Sequence, residues 1–149
     1  TKKNKRKDEI LKIIKEQEIE TQEEILAELS QRGFSVTQAT VSRDIKELHL
    51  VKVRGKVKNT KYAPLSGGTL TIPEQLLPVF THGFVSADYA NNLVIVKTLP
   101  GMAQGVASAI DSLSLAETLA TIAGDDALLI VCRTEEVAGN VVDTLKDMV

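Results

Sequence analysis

The segment Pro64-Leu65-Ser66-Gly67-Gly68-Thr69 interrupts any helix or strand that would run through it, and the chain differs in charge on its two sides. Proline removes a backbone donor, and a Ser-Gly-Gly run is flexible. Residues 1–64 carry 15 Lys and Arg against 10 Asp and Glu, a net charge of +5. Residues 65–149 carry 3 against 10, a net charge of −7, which leaves −2 for the whole. A chain of 149 residues is long for one domain and short for two large ones. The reading is two small domains, residues 1–64 and 73–149, joined by a linker over 65–72. A polyanion is the natural partner of the basic half, and a cationic ligand suits the acidic half.

Composition removes several function classes. No apolar stretch approaches the ~20 residues of a membrane span. The opening residues Thr1-Lys2-Lys3-Asn4-Lys5-Arg6-Lys7-Asp8 are charged and lack the apolar core of an export signal. A single cysteine, Cys132, excludes an intramolecular disulfide framework and a cysteine-built zinc site. Two histidines, His49 and His82, leave little material for metal or triad chemistry. Aromatic residues are only 3% with no Trp, which argues against a stacking platform for single strands.

Before the joint, helical spacing of Ile10, Leu11, Ile13 and Ile14 predicts a first helix over 8–18. Thr21-Gln22-Glu23-Glu24 is a capping box that opens a second helix, which runs to a left-handed stop at Gly33. A third helix spans 37–48. Val51-Lys52-Val53-Arg54 then alternates with period two, and Lys56-Val57-Lys58 resumes the pattern after Gly55, predicting a strand pair with a basic face. After the joint the expected order is a short helix (73–79), strands at 84–89 and 93–98 around Asn91-Asn92, and a helix at 102–113. Strands at 118–123 and 127–133 around Gly124-Asp125-Asp126 follow, then a closing helix at 135–148. The fold class is α+β with two domains: an N-terminal winged helix-turn-helix, and a C-terminal antiparallel sheet with helices on one face.

On the third helix Ile45 and Leu48 fall beside Val41, while Ala39, Arg43 and Lys46 fall opposite, with Ser42 on the flank. One stripe buries, and the other offers a guanidinium, an ammonium, a hydroxyl and a small residue that permits close approach. Arg grips guanine O6 and N7 with two parallel bonds, and Ser and Lys reach bases or phosphates. The candidate DNA-facing set is Gln38, Ser42, Arg43 and Lys46. Lys52, Arg54 and Lys56, joined by Lys58, Lys61 and the arm 2–7, would meet phosphates. Each lysine taken singly also reads as an ordinary solubility charge.

Asp125 and Asp126 sit at a tight turn between two apolar strands, and three readings stand. Asp is a turn former that tolerates left-handed backbone and bonds its own chain. A carboxylate pair also suits a divalent metal or acid–base chemistry, as in a small enzyme that would use Asp111 as well. Finally, two carboxylates offer four oxygens to a guanidinium fork.

The run Ser35-Val36-Thr37-Gln38-Ala39-Thr40-Val41-Ser42-Arg43-Asp44-Ile45-Lys46-Glu47-Leu48 resembles the recognition segment of the bacterial arginine repressors. Leu99-Pro100-Gly101-Met102-Ala103-Gln104, then Ile110-Asp111, then Thr121-Ile122-Ala123-Gly124-Asp125-Asp126 are similar to that family's other signatures, in the same order. The resemblance spans nearly the whole chain. It implies a non-enzymatic, cytoplasmic transcription regulator of arginine biosynthesis and catabolism, with Ser42 and Arg43 on the bases of operator DNA. It implies L-arginine as co-repressor, held by Asp125 and Asp126 with help from Gln104 and Asp111, and no other cofactor. It also implies a homohexamer of two stacked trimers with arginine between subunits, in which the Ala- and Gly-rich helix over 102–113 is a candidate subunit contact. Ala120 and Ala127 depart from the family's usual Gly and Thr, which bears on pocket shape rather than on a ligand group. Two alternatives remain within DNA binding: a ligand-independent architectural oligomer, and a paralogue that works with a second, arginine-sensing repressor.

Overall fold

Threonines start most of the long helices, and each does so through its hydroxyl. In a computed structural model that describes residues 1–66 and 70–149, the first unit runs from Thr1 to Pro64. It comprises α1 (Lys2–Glu16), α2 (Gln22–Gln31), α3 (Gln38–Glu47) and the hairpin β1 (Leu50–Arg54) and β2 (Thr60–Pro64). Thr21 Oγ1 accepts from the Glu24 amide at 3.2 Å and Thr37 Oγ1 from the Thr40 amide at 3.3 Å, satisfying donors that a helix start leaves without partners. In return, the Glu24 carboxylate reaches the amide of Glu20, one residue before the position a capping box would use. Gly33, at φ +89°, ends α2 and turns the chain toward α3.

The apolar stripes of the three helices meet in one core: Ile10, Ile13 and Ile14 from α1, Ile25 and Leu29 from α2, Val41 and Ile45 from α3, with Ile19, Leu50 and Tyr62. Arg32, where α2 ends, pairs with Glu9 (2.8 Å) and Glu16 (3.0 Å) of α1, and these partners push its guanidinium further toward the charged form. β1 and β2 pair antiparallel with Lys52 opposite Tyr62.

Two differences from the sequence reading follow from packing. Helix α1 begins at Lys2, so the basic residues 2–7 are its first turns and not an extended arm. The second hairpin strand is Thr60–Pro64, and Lys56-Val57-Lys58 form the connecting loop. The alternation of Lys56-Val57-Lys58 with Val51–Arg54 misled because a carboxylate from elsewhere, Glu18, claims those three amides.

The second unit, Leu65–Val149, comprises α4 (Leu77–Gly83), β3 (Phe84–Ala90), β4 (Leu93–Thr98), α5 (Ala103–Asp111), β5 (Thr118–Ala123), β6 (Ala127–Cys132) and α6 (Glu135–Asp147). Its sheet is antiparallel throughout, in the order β3-β4-β6-β5. Alternate residues Ala87, Val94, Val96, Leu128, Ile130 and Cys132 are buried under α5 and α6, which contribute Val106, Ile110, Val137, Val141 and Leu145. The α+β class with helices on one side of the sheet is what the element order implied. The short helix expected at 73–79 lies instead at Leu77–Gly83. Gly105 of α5 faces Val79 of α4 so closely that a Cβ there would lie 2.7 Å from the Val79 methyl. Gly105 thus serves a close helix contact inside the chain. Of the expected linker, Leu65 and Ser66 pack into this unit, where the Ser66 hydroxyl donates to the Leu113 carbonyl at 3.0 Å. Residues 67–69 of that linker lie outside the described residues. No described helix is long and apolar enough to cross a membrane.

Candidate functional site

Helix α3 buries Val41, Asp44 and Ile45 and exposes Gln38, Ala39, Ser42, Arg43 and Lys46. Among the described residues, no salt bridge or side-chain hydrogen bond engages Ser42, Arg43 or Lys46, so their donors face solvent. Gln38 is different: its amide nitrogen donates to Glu23 of α2 at 3.2 Å. The acidic residues of the same helix are each neutralised by α1. Arg6 grips Asp44 with two bonds, Nε to Oδ2 at 2.5 Å and Nη2 to Oδ1 at 3.0 Å. Lys7 and Lys3 pair with Glu47. The Asp44 carboxylate holds the Arg6 guanidinium above its ordinary range, and the Lys7 ammonium holds the Glu47 carboxyl below its own. With Asp44 and Glu47 matched, the outward charge of α3 is positive.

Of the basic residues 2–7, Lys3, Arg6 and Lys7 thus brace α3 from α1, whereas the side chains of Lys2 and Lys5 are exposed and bond to no described residue. No local sequence signal marks the pairing, because Arg6 and Asp44 are 38 residues apart.

In the hairpin, Lys52 Nζ stands 5.6 Å from the centre of the Tyr62 ring, a cation–π arrangement that fixes the ammonium at the sheet surface. Arg54 and Lys56 are exposed. Lys58 is committed within the chain to Glu24, at 2.6 Å, and Lys61 is half-buried beside Glu18. The hairpin therefore presents Lys52, Arg54 and Lys56 as its outward cations, and Lys58 only in part.

In the second unit, the Gly124-Asp125-Asp126 turn is held entirely by its backbone. The Gly124 amide donates to the Ala127 carbonyl at 2.8 Å, the Thr98 amide to the Asp126 carbonyl at 2.8 Å, and the Ala103 amide to the Asp125 carbonyl at 3.1 Å. Neither aspartate has positive φ, and neither side chain bonds to any described residue. The two jobs that would make them mere turn formers are thus not the ones they do. The Ala103 bond puts the first turn of α5, with exposed Gln104, beside the aspartates. Asp111 ends the same helix, seven residues on, a rise of about 10 Å. There it edges a separate hollow with Ser114, Thr118 and Thr121 over Ile110 and Ile130. One chain therefore sets the start of α5, which carries Gln104, next to the Asp125-Asp126 turn and places Asp111 at the far end of that helix. Among the described residues, no three His, Cys, Asp or Glu side chains converge as metal ligands.

The sheet face away from the helices carries Leu93, Ile95, Leu129 and Val131, half-buried, with Ile122 61% exposed. The alternation of β4 and β6 shows this second apolar stripe in the sequence, but its lack of cover is visible only in the fold.

Comparison with known proteins adds two matches that together cover most of the chain. Residues 1–67 match the family model described as Arginine repressor, DNA binding domain, and residues 80–147 match Arginine repressor, C-terminal domain. The chain is 51% identical over 146 residues to the Arginine repressor of Acetivibrio thermocellus, covering 98% of this chain and 95% of that one. It is 51% identical over 140 residues to the Arginine repressor of Ruminiclostridium cellulolyticum, covering 94% and 93%. It is 49% identical over 147 residues to that of Caldicellulosiruptor bescii, covering 99% and 97%.

Proposed function

The chain belongs to the arginine repressor family, and we propose that it is a transcription regulator whose grip on operator DNA responds to L-arginine. One observation carries the reading. Each unit presents a group of exposed ionic side chains that no described residue neutralises: Arg43 and Lys46 on the first, Asp125 and Asp126 on the second.

In this reading α3 enters the major groove. Arg43 and Ser42 address base edges, Lys46 reaches a base or phosphate, and Gln38 joins them once it leaves Glu23. Lys52, Arg54 and Lys56 of the hairpin neutralise phosphates, so affinity falls with added salt.

Arginine is the ligand of the second unit. Its guanidinium matches the paired carboxylates, and Gln104 lies within the same neighbourhood. Asp111, about 10 Å along α5, completes the set when a second subunit brings its own helix to the turn. The open apolar sheet face supports self-association, for which we propose a hexamer of two trimers working in the cytoplasm. Arginine would then sit between subunits and shift the balance between arrangements of the DNA-binding units. Coupling of this kind is worth about 1–3 kcal/mol, and reciprocity requires operator DNA to tighten arginine binding.

The test is the double variant Asp125→Asn, Asp126→Asn, measured by calorimetry with L-arginine and by DNA binding with and without it. Loss of arginine binding with retained basal DNA affinity is the expected result. Unchanged arginine affinity removes the site assignment. A wild-type protein that binds DNA equally well with and without arginine points to a ligand-independent architectural role or to a partner repressor that does the sensing.

A further inference from the structure

Glu18 lies two residues beyond the end of α1, and its carboxylate accepts three consecutive backbone donors from the hairpin loop. The Lys56 amide bonds Oε1, the Val57 amide bonds Oε2 at 2.7 Å, and the Lys58 amide bonds Oε2 at 2.8 Å. Successive amides converging on one anion form a nest, the arrangement by which loops hold phosphate groups. Here the chain fills its own nest.

Neighbouring contacts are built around it. The Gly55 amide donates to the Asn59 carbonyl at 3.2 Å and closes the loop, and a side chain at Gly55 would collide with the Lys58 carbonyl oxygen. Lys58 reaches back to Glu24 at 2.6 Å. The Tyr62 amide donates to the Ile19 carbonyl at 2.8 Å, which sews the segment after α1 to β2. At the outer end of this braced loop stands Val57, 90% exposed, between Lys56 and Lys58.

A five-residue loop of this kind, left to itself, samples many shapes and must be ordered when it meets a partner. The loop here is ordered in advance, with an apolar tip and an outward ammonium at Lys56. We propose that Glu18 is a positioning residue for DNA binding: it holds the tip of the wing in the shape that meets the duplex, so that Lys56 reaches a phosphate while Val57 rests in the groove. The inference rests on the DNA-binding reading above. The three amides, Lys58's first, also hold the Glu18 carboxyl below its ordinary value of 4.5, as expected for an anion that is bound rather than merely solvated.

The experiment uses the full chain and a duplex carrying its operator, with fluorescence anisotropy as the readout. Glu18→Gln keeps the side chain's size and removes its charge. It is expected to weaken binding about tenfold with the order of preference among operator variants unchanged, since α3 is untouched. A double-mutant cycle separates positioning from a general loss of structure. Lys56→Ala is expected to weaken the wild-type chain and to cost nothing further in the Glu18→Gln background. In amide resonance spectra the Lys56, Val57 and Lys58 signals of the wild type should shift together as acid protonates Glu18, and this joint shift should be absent in Glu18→Gln. Glu18→Gln binding as well as wild type overturns the proposal. So does Glu18→Gln binding more tightly, which would show that the nest is a phosphate site that Glu18 obstructs. A wild-type chain with no salt-dependent duplex binding at all removes the DNA-binding reading instead.

Discussion

The Arg6–Asp44 pair allows the support of α3 to be tested quantitatively. The Asp44 side chain is 2% exposed and that of Arg6 14%, so replacing Arg6 strands a carboxylate where water scarcely reaches. Removing one partner of a buried pair costs about 3–5 kcal/mol, whereas replacing both by apolar groups of similar volume is close to neutral. Water reaches the guanidinium side of this pair, which places Arg6→Met at the lower end, about 3 kcal/mol. Arg6→Met with Asp44→Leu should return most of that loss. Hydrogen exchange is the suitable assay because it reads α3 separately from the second unit. The amides of Val41, Ile45 and Leu48 should exchange about a hundredfold faster in Arg6→Met, since each 1.4 kcal/mol is tenfold, and near the wild-type rate in the double variant. A double variant as labile as Arg6→Met would refute the reasoning, because the cost would then lie in lost aliphatic packing rather than in an unpaired charge. Exchange unchanged in Arg6→Met would refute it too.

Two further predictions concern titration. The carboxyls of Glu18, Glu24 and Glu47 are held below 4.5 by the Lys58 amide, the Lys58 ammonium and the Lys7 ammonium respectively. Lowered values mean fewer protons bound in the folded state, so their contribution is complete above about pH 4.5 and is lost as pH falls through the native values. The melting temperature of the first unit should hold steady down to about pH 5 and fall below it; indifference to acid down to about pH 3 would contradict the three bonded networks. Burial pushes the Cys132 thiol up to about 11, so thiol reagents at about pH 8 should leave the folded chain unmodified and react on unfolding. Rapid modification of the native chain would place Cys132 at the surface.

Much of this molecule was readable from local chemistry. Thr21, Thr37 and Thr134 mark helix starts because a hydroxyl three residues before an amide caps it whatever surrounds it. The strands Leu93–Thr98 and Thr118–Ala123 fall where alternation and the turns Asn91-Asn92 and Gly124-Asp125-Asp126 place them. The outward face of α3, with Ser42, Arg43 and Lys46, follows from the helical period alone.

The fate of each charge was not readable in that way. Fifteen basic residues in the first 64 look alike as sequence, and every one of them fits a phosphate. Folding sorts them: Arg6 and Lys7 go to α3, Arg32 to α1, Lys58 to Glu24, and Arg43 and Lys46 to solvent. The same holds for Glu18, whose amide partners lie 38 to 40 residues away, and for Asp111, which shares a helix with Gln104 but not its surroundings. Caps, turns and amphipathic faces are settled within four residues, where the backbone itself fixes the geometry. Which ion pairs with which depends on distances that only the packed core sets, and a carboxylate is satisfied by whichever donor the fold brings within about 3 Å.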